Sequence, residues 1–123
     1  MNSNSLNPLI DIVITAHNME SCLGECLKSL AAQTFGDFCA LIVNDGSTDG
    51  TKSVARAFAD TDDRFSVIST PGIGAGGARN KGIEEVNAPY FMVLDGDDIF
   101  HPTMLEKLFA AVRNGKADVA ICD

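Results

Sequence analysis

Basic side chains are scarce in this chain: 9 lysines and arginines stand against 17 aspartates and glutamates, a formal charge of -8 at pH 7. So acidic a protein repels nucleic acid and anionic membrane surfaces, which excludes nucleic-acid binding as the expected role. It would repel a nucleotide diphosphate as well, so a ligand of that kind needs a local positive partner, and a metal ion is the simplest. Proline is sparse too, at 4 residues, and charged residues make up 21% against 46% hydrophobic, a balance that excludes a disordered tail. No apolar run approaches the ~18 residues that a membrane span requires, so no membrane segment is read. Also missing is a basic segment followed by an apolar run, the mark of a secretory signal. Residues 1–8 are instead polar and rich in asparagine, and read as a flexible leader. The default placement is therefore cytoplasmic, with the inner face of the membrane left open for a longer protein. The 4 cysteines, Cys22, Cys26, Cys39 and Cys122, lack the spacing of a zinc site, and without an export signal nothing calls for disulfides. Cys22 and Cys26 could share a helix face as a metal or redox pair, but ordinary packing is the preferred reading.

What is present is an alternation of two hydrophobic periods over 123 residues, the length of one domain with a single core. Residues 9–15 form a nearly continuous Ile- and Val-rich run, broken by Asp11, that reads as a buried strand. Leu23, Leu27, Leu30 and Ala31 then recur at helical spacing within 20–33. A second strand is read at 38–43, a helix with its inner face at Val54, Ala55 and Phe58, and a short third strand at 65–69. A Gly-rich segment leads into a helix at 78–86, and a fourth strand follows at 90–94. Pro102 suits a first helical position, with Leu105, Leu108, Phe109 and Val112 on that helix's core face, and 119–122 begins a fifth strand. Short connections between alternating strands and helices predict an α/β domain at 9–123: a mainly parallel, Rossmann-like sheet with helices on both faces.

In such sheets ligands bind outside the carboxyl ends of the strands, so the residues that follow each strand carry the functional information. Here they are Thr15, Ala16, His17 and Asn18, then Asn44, Asp45, Gly46 and Ser47, then Asp95, Gly96, Asp97 and Asp98. Carboxylates crowded into the last group repel one another by up to about 4 kcal/mol per close pair at an effective dielectric near 20. A hard cation such as Mg2+ or Mn2+ would remove that repulsion, with phosphate oxygens of a substrate completing its shell. The competing reading is a solvated acidic turn in which Asp98 or His101 caps the next helix.

Asn44-Asp45-Gly46-Ser47-Thr48-Asp49-Gly50-Thr51, Ala78-Arg79-Asn80-Lys81-Gly82 and Leu94-Asp95-Gly96-Asp97-Asp98 occur in that order. Together they resemble glycosyltransferase family 2, of the GT-A fold, and the likeness runs from Leu9 onward. The resemblance implies the nucleotide-sugar-binding half of an inverting enzyme that moves a sugar from a nucleoside diphosphate, UDP first among the candidates, to an acceptor hydroxyl. Saccharide or lipid-linked acceptors in cell-surface polysaccharide or glycolipid synthesis are implied with it. Thr15 and His17 fill sites where the family commonly has proline and tyrosine beside the base, and Asn18 matches its asparagine. Asp45 is similar to the base-reading aspartate, and a carboxylate can accept the imide hydrogen of uracil. Asn44 replaces a frequent aspartate, and Ser47, Thr48 and Asp49 read as turn and cap residues. Arg79 matches an arginine at a helix start, where a cation and backbone N–H groups meet the donor's charge, a surface ion pair being its alternative role. Asp97 is the foremost metal ligand implied. Asp95 and Asp98 are the ribose contact and second metal ligand in an order left open, with Asp95 placed provisionally on the nucleotide. Gly96 stands where serine is common and would leave room for close backbone approach.

The family's catalytic base comes from beyond the fifth strand, so none is assigned within residue 123, and the chain alone is expected to have little or no transferase activity. Two other classes share some features. Gly72-x-Gly74-x-x-Gly77 follows a strand and precedes Asp95, as in NAD-binding Rossmann modules, but Thr70 and Pro71 separate its first glycine from the strand. A receiver-like phospho-accepting domain would also have an acidic, magnesium-binding edge, yet it needs paired acids where this chain has Thr15 to Asn18.

Overall fold

The computed structural model describes residues 8–113. Most of the leader expected at 1–8 and the fifth strand expected at 119–122 lie outside the described residues. Four strands, β1 (Ile10–Ala16), β2 (Phe38–Asp45), β3 (Phe65–Thr70) and β4 (Tyr90–Asp95), alternate with four helices, α1 (Leu23–Ala31), α2 (Thr51–Thr61), α3 (Gly74–Glu84) and α4 (Met104–Arg113). The strands form one sheet in the order β3-β2-β1-β4, every neighbouring pair parallel.

The alternation of side chains along each strand decides what each helix covers. Ile10, Ile12, Ile14 and Ala16 of β1 and Ala40 and Ile42 of β2 point to one face. There they pack with Leu23, Cys26, Leu27 and Leu30 of α1, Ala55 of α2, and Met104 and Leu105 of α4. Val13 and Val43 point the other way, onto Ala78 of α3. Helices therefore lie on both faces, as the alternating pattern predicts, but the larger core sits under α1, α2 and α4. Among the described residues no helix is long and apolar enough to cross a membrane.

Three boundaries depart from the sequence reading. Helix α1 begins at Leu23 and not at residue 20, because Met19 to Cys22 form a turn in which the Met19 carbonyl accepts the N–H groups of Cys22 and Leu23. Pro102 lies two residues ahead of α4, and its carbonyl accepts the Thr34 N–H. Helix α3 begins at Gly74, four residues before its expected start, despite a helix propensity about 1 kcal/mol per residue poorer for glycine than for alanine. Tertiary contacts override that penalty. At Gly82 a Cβ would come within 2.3 Å of Val13 Cγ1, so the bare backbone is what lets α3 lie on β1.

The strand register places the functional edge. Thr15 sits opposite Asp95, Ala16 opposite Asn44, and Asp45 opposite Thr70, so the three polar strand ends stand side by side. Gly82→Ala is expected to lower stability by about 1–3 kcal/mol through overpacking, read as a lower urea midpoint with unchanged slope.

Candidate functional site

Two loops that close the edge are tied together by their own side chains. Asn18, at φ 51°, turns the chain after β1, and its Oδ1 accepts the Thr48 N–H at 2.8 Å while its own N–H donates to Ser47 Oγ at 3.0 Å. The next amide, Met19 N–H, donates to the hydroxyl of buried Thr51 at 2.7 Å, and Glu20 accepts the Gly50 N–H at 3.0 Å. Asp49 caps α2 by accepting the Thr51 N–H at 2.9 Å. Ser47, Thr48 and Asp49 are thus turn and cap groups, as their residue types suggest. Asn18 is bound up with them: its carbonyl oxygen is committed to the β2–α2 turn.

His17 is held by the neighbouring strand. Its Nδ1 lies 2.6 Å from the Asp45 carbonyl oxygen, which can only accept, so Nδ1 donates and Nε2 is left with a lone pair when the ring is neutral. The imidazole stays exposed above the edge with its orientation set from below.

Asp45 carries the densest set of contacts. Its Oδ1 accepts the Thr70 hydroxyl at 2.6 Å and the N–H groups of Gly72 at 3.1 Å and Ile73 at 2.8 Å, and its Oδ2 accepts the Gly74 N–H at 2.8 Å. One buried carboxylate thereby takes the first amide of α3 and the two amides just before the helix, which would otherwise lack partners. The Thr70 hydroxyl and then the Ile73, Gly74 and Gly72 amides hold the Asp45 carboxyl below its ordinary range, against the opposing effect of burial. Gly72 and Gly74 adopt φ of 86° and 89°, the left-handed region in which glycine is at ease, and this lets consecutive amides converge on one acceptor. Neighbouring Asn44 points to the opposite, buried face. Its Nδ2 donates to Ser69 Oγ at 3.4 Å and its Oδ1 has no partner, so an amide there avoids burying a charge where the family often has aspartate.

The acidic loop completes the edge. Asp95, Asp97 and Asp98 are exposed and offer carboxylate oxygens that all lie within 4.8 Å of one another, close enough for one cation to bind the set. Thr15 Oγ1 donates to Asp95 Oδ1 at 3.3 Å. Lost hydration, and then the charges of Asp97 and Asp95, push the Asp98 carboxyl above its ordinary range. A divalent ion would replace that repulsion with attraction, so the donor set fits a hard cation. Beneath the loop Cys26 donates its thiol to the Asp95 carbonyl at 3.7 Å. Burial first, then Asp98, Asp97, Cys22 and Asp95, push that thiol up to about 12, so without a metal it remains a protonated donor. Gly96 is packed differently from the expectation. A Cβ there would meet Leu23 Cδ1 at 2.9 Å and Met19 Sδ at 3.1 Å, so the space beside it is filled by the protein and not left for a ligand.

A cavity of about 450 Å³ lies along this edge, lined by Thr15, His17, Asp45, Asp95 and Asp97 together with Met19, Gly74, Ala75 and Ala78. The structure brings those five candidates around one space. Asn18 and Arg79 do not line it. Arg79 stands on the exposed side of α3, in the middle of the helix and not at its start, since α3 begins five residues earlier. Asp98 does not line the cavity either, although its carboxylate lies within 4.8 Å of those of Asp95 and Asp97. The sequence reading missed Thr70, and also Ser29 and Gln33 of the α1 region, which bond the segment after the acidic loop. No local signal marks them, because their partners are 25 to 72 residues away.

Fold and site together define an open parallel α/β domain with an acidic edge where strand order reverses between β1 and β4. Residues 11–123 match the profile of Glycosyl transferase family 2, and the chain belongs to that family. It is similar to Glycosyltransferase GlyG of Streptococcus pneumoniae serotype 4, 33% identical over 94% of this chain and 39% of that protein. It is also similar to the teichoic acid poly(glycerol phosphate) polymerase of Staphylococcus epidermidis, 42% identical over 72% of this chain and 13% of the polymerase. Among solved structures, S. aureus TarS 1–349 in complex with UDP-GlcNAc superposes with TM-score 0.80 at 25% identity, covering 89% of this chain and 32% of that one. The chain thus spans between 13% and 39% of the length of these relatives.

Two titrations test this electrostatic account. Asp45 has a depressed carboxyl, so its contribution to stability is present above the unfolded value near pH 4 and is lost as pH falls through the folded value. Asp45→Asn should cost about 1–3 kcal/mol at pH 7 and flatten the acid limb of the stability profile. Asp98 is the reverse case: its penalty is absent below about pH 4 and grows as pH rises through its raised value. Asp98→Asn should raise the metal-free thermal midpoint at pH 7 and leave it unchanged near pH 3.

Proposed function

We propose that this chain is the donor-binding part of a metal-dependent, inverting glycosyltransferase that takes a sugar from a nucleoside diphosphate, UDP foremost, and delivers it to an acceptor hydroxyl. The observation that carries the reading is the clustering of the Asp95, Asp97 and Asp98 oxygens, with Asp95 and Asp97 lining the same cavity as His17 and Asp45. The UDP-GlcNAc bound to TarS, whose fold this chain shares, supports the choice of nucleotide.

In this reading the exposed His17 ring stacks on the base, fixed by its bond to the Asp45 carbonyl. Asp45 Oδ2, which accepts only the Gly74 amide, has a lone pair left for the imide hydrogen of uracil, whereas Oδ1 is fully engaged. Thr15 orients Asp95 toward the ribose, and Asp97 and Asp98 hold Mn2+ or Mg2+. Asn18 acts here by bracing the loop that carries His17. Arg79 lends positive charge from the outer side of α3. When bound, the metal supplies Lewis-acid stabilisation of the departing diphosphate. The acceptor is a saccharide or lipid-linked saccharide, in keeping with the teichoic acid relative, and its deprotonation falls to a base outside residues 1–123. The chain alone should turn over little donor.

A Rossmann-type dinucleotide site fits less well. The amides of Gly72, Ile73 and Gly74, which such a site would aim at a pyrophosphate, are spent on Asp45, and they follow the edge strand β3 and not β1.

Calorimetry of the full-length protein with UDP, with and without Mn2+, tests the proposal. Manganese should tighten UDP binding, and Asp97→Asn should abolish at least about tenfold of the gain, or about 1.4 kcal/mol. UDP affinity that is indifferent to both metals would sink it.

A further inference from the structure

The acidic loop is held from outside by a polar stripe that neither the sheet nor the cavity lining includes. Cys26, Ser29 and Gln33 recur at intervals of three and four residues, one face of α1 and its C-terminal extension. Each grips the β4–α4 backbone at a different place. Cys26 Sγ donates to the Asp95 carbonyl at 3.7 Å, before the exposed acids. Ser29 Oγ accepts the Phe100 N–H at 3.1 Å, just after them. Gln33 donates to the His101 carbonyl at 2.7 Å and accepts the Leu105 N–H at 3.0 Å, seating the start of α4.

Between these anchors Asp97, Asp98 and Ile99 are exposed. Within that span two backbone bonds fix the loop, one across to β1 from the Gly96 N–H to the Thr15 carbonyl at 3.0 Å and one local from the Asp98 N–H to the Asp95 carbonyl at 3.3 Å. Three like charges push such a loop open. A chain pinned at both ends cannot relax by widening, so the carboxylates stay close before any cation arrives. Ser29 and Gln33 are themselves ordered: Ser29 Oγ donates to the Cys26 carbonyl at 2.7 Å, and Gln33 Nε2 also donates to the Ser29 carbonyl at 3.1 Å. The stripe is one connected unit with little freedom of its own.

We propose that Cys26, Ser29 and Gln33 are positioning residues that preset the separation of the Asp97 and Asp98 carboxylates for a divalent cation. The proposal rests on the metal-binding reading given above and deepens it, because it assigns the order of the acid cluster to α1 and not to the cation.

The test uses the full-length protein. Manganese affinity at saturating UDP should fall by about tenfold in Ser29→Ala and in Gln33→Met, the size of effect typical of groups that orient metal ligands. UDP affinity in EDTA should not change, and Ser29→Thr, which keeps the hydroxyl, should restore the manganese affinity. Without metal, amide hydrogen exchange at residues 97–99 should quicken in Ser29→Ala. Gly82→Ala, which loosens the opposite face of the sheet, should leave both readouts as they are. If Gln33→Met does not fold, Ser29→Ala decides alone. Unchanged metal affinity and unchanged exchange in Ser29→Ala overturn the positioning role, even when the parent protein binds manganese well. If the parent shows no manganese-linked UDP binding, the functional reading is overturned instead, and the exchange rates then decide the positioning role on their own.

Discussion

The site depends on one buried carboxylate. Asp45 gathers the Thr70 hydroxyl, the amides of Gly72 and Ile73 and the first amide of α3, and through its backbone carbonyl it also fixes the His17 ring. A charge with so many donors is favourable where an unpaired one would be costly, because each bond offsets the hydration it lost. The arrangement has a geometric result as well. Three consecutive loops, after β1, β2 and β3, are referred to a single point, so the floor of the cavity is rigid where a ligand would press on it.

The other side of the cavity is organised by repulsion. Asp95, Asp97 and Asp98 crowd together on an exposed loop of a protein that already carries a net charge of -8. Left to itself such a loop would spread. It is restrained by Thr15 on β1, by Leu23 and Met19 packed against Gly96, and by the polar face of α1. Helix α1 therefore has two tasks: Leu23, Cys26, Leu27 and Leu30 build the core, while Cys26, Ser29 and the following Gln33 hold the loop. The two walls of the cavity thus contrast, one neutralised by amides and the other left charged.

Much of the fold was legible in the residues themselves. Apolar runs and period-3.6 patterns located the described strands and helices, and the polar strand ends marked the edge on which the candidate residues stand. The motif around Asp45, the one around Arg79 and the one around Asp95 identified the family, since order and spacing within short segments are properties of the linear chain. The errors fell where a distant group overrides local preference. Glycines at 74–77 read as a loop because glycine is a poor helix former, whereas α3 starts at Gly74, whose N–H is accepted by Asp45, 29 residues earlier.

What the amino-acid order determined by itself was the succession of elements, the acidity of the loop after β4 and the residue types available at the edge. Only the tertiary structure decided how those residues share the work: that Asn18 braces a turn, that Arg79 stands outside the cavity, that Gly96 is packed by Leu23, and that Ser29 and Gln33 reach the loop at all. Periodicity acts between neighbours in the chain and can be read there. Hydrogen bonds across 25 to 80 residues exist only once the sheet has brought their partners within about 3 Å.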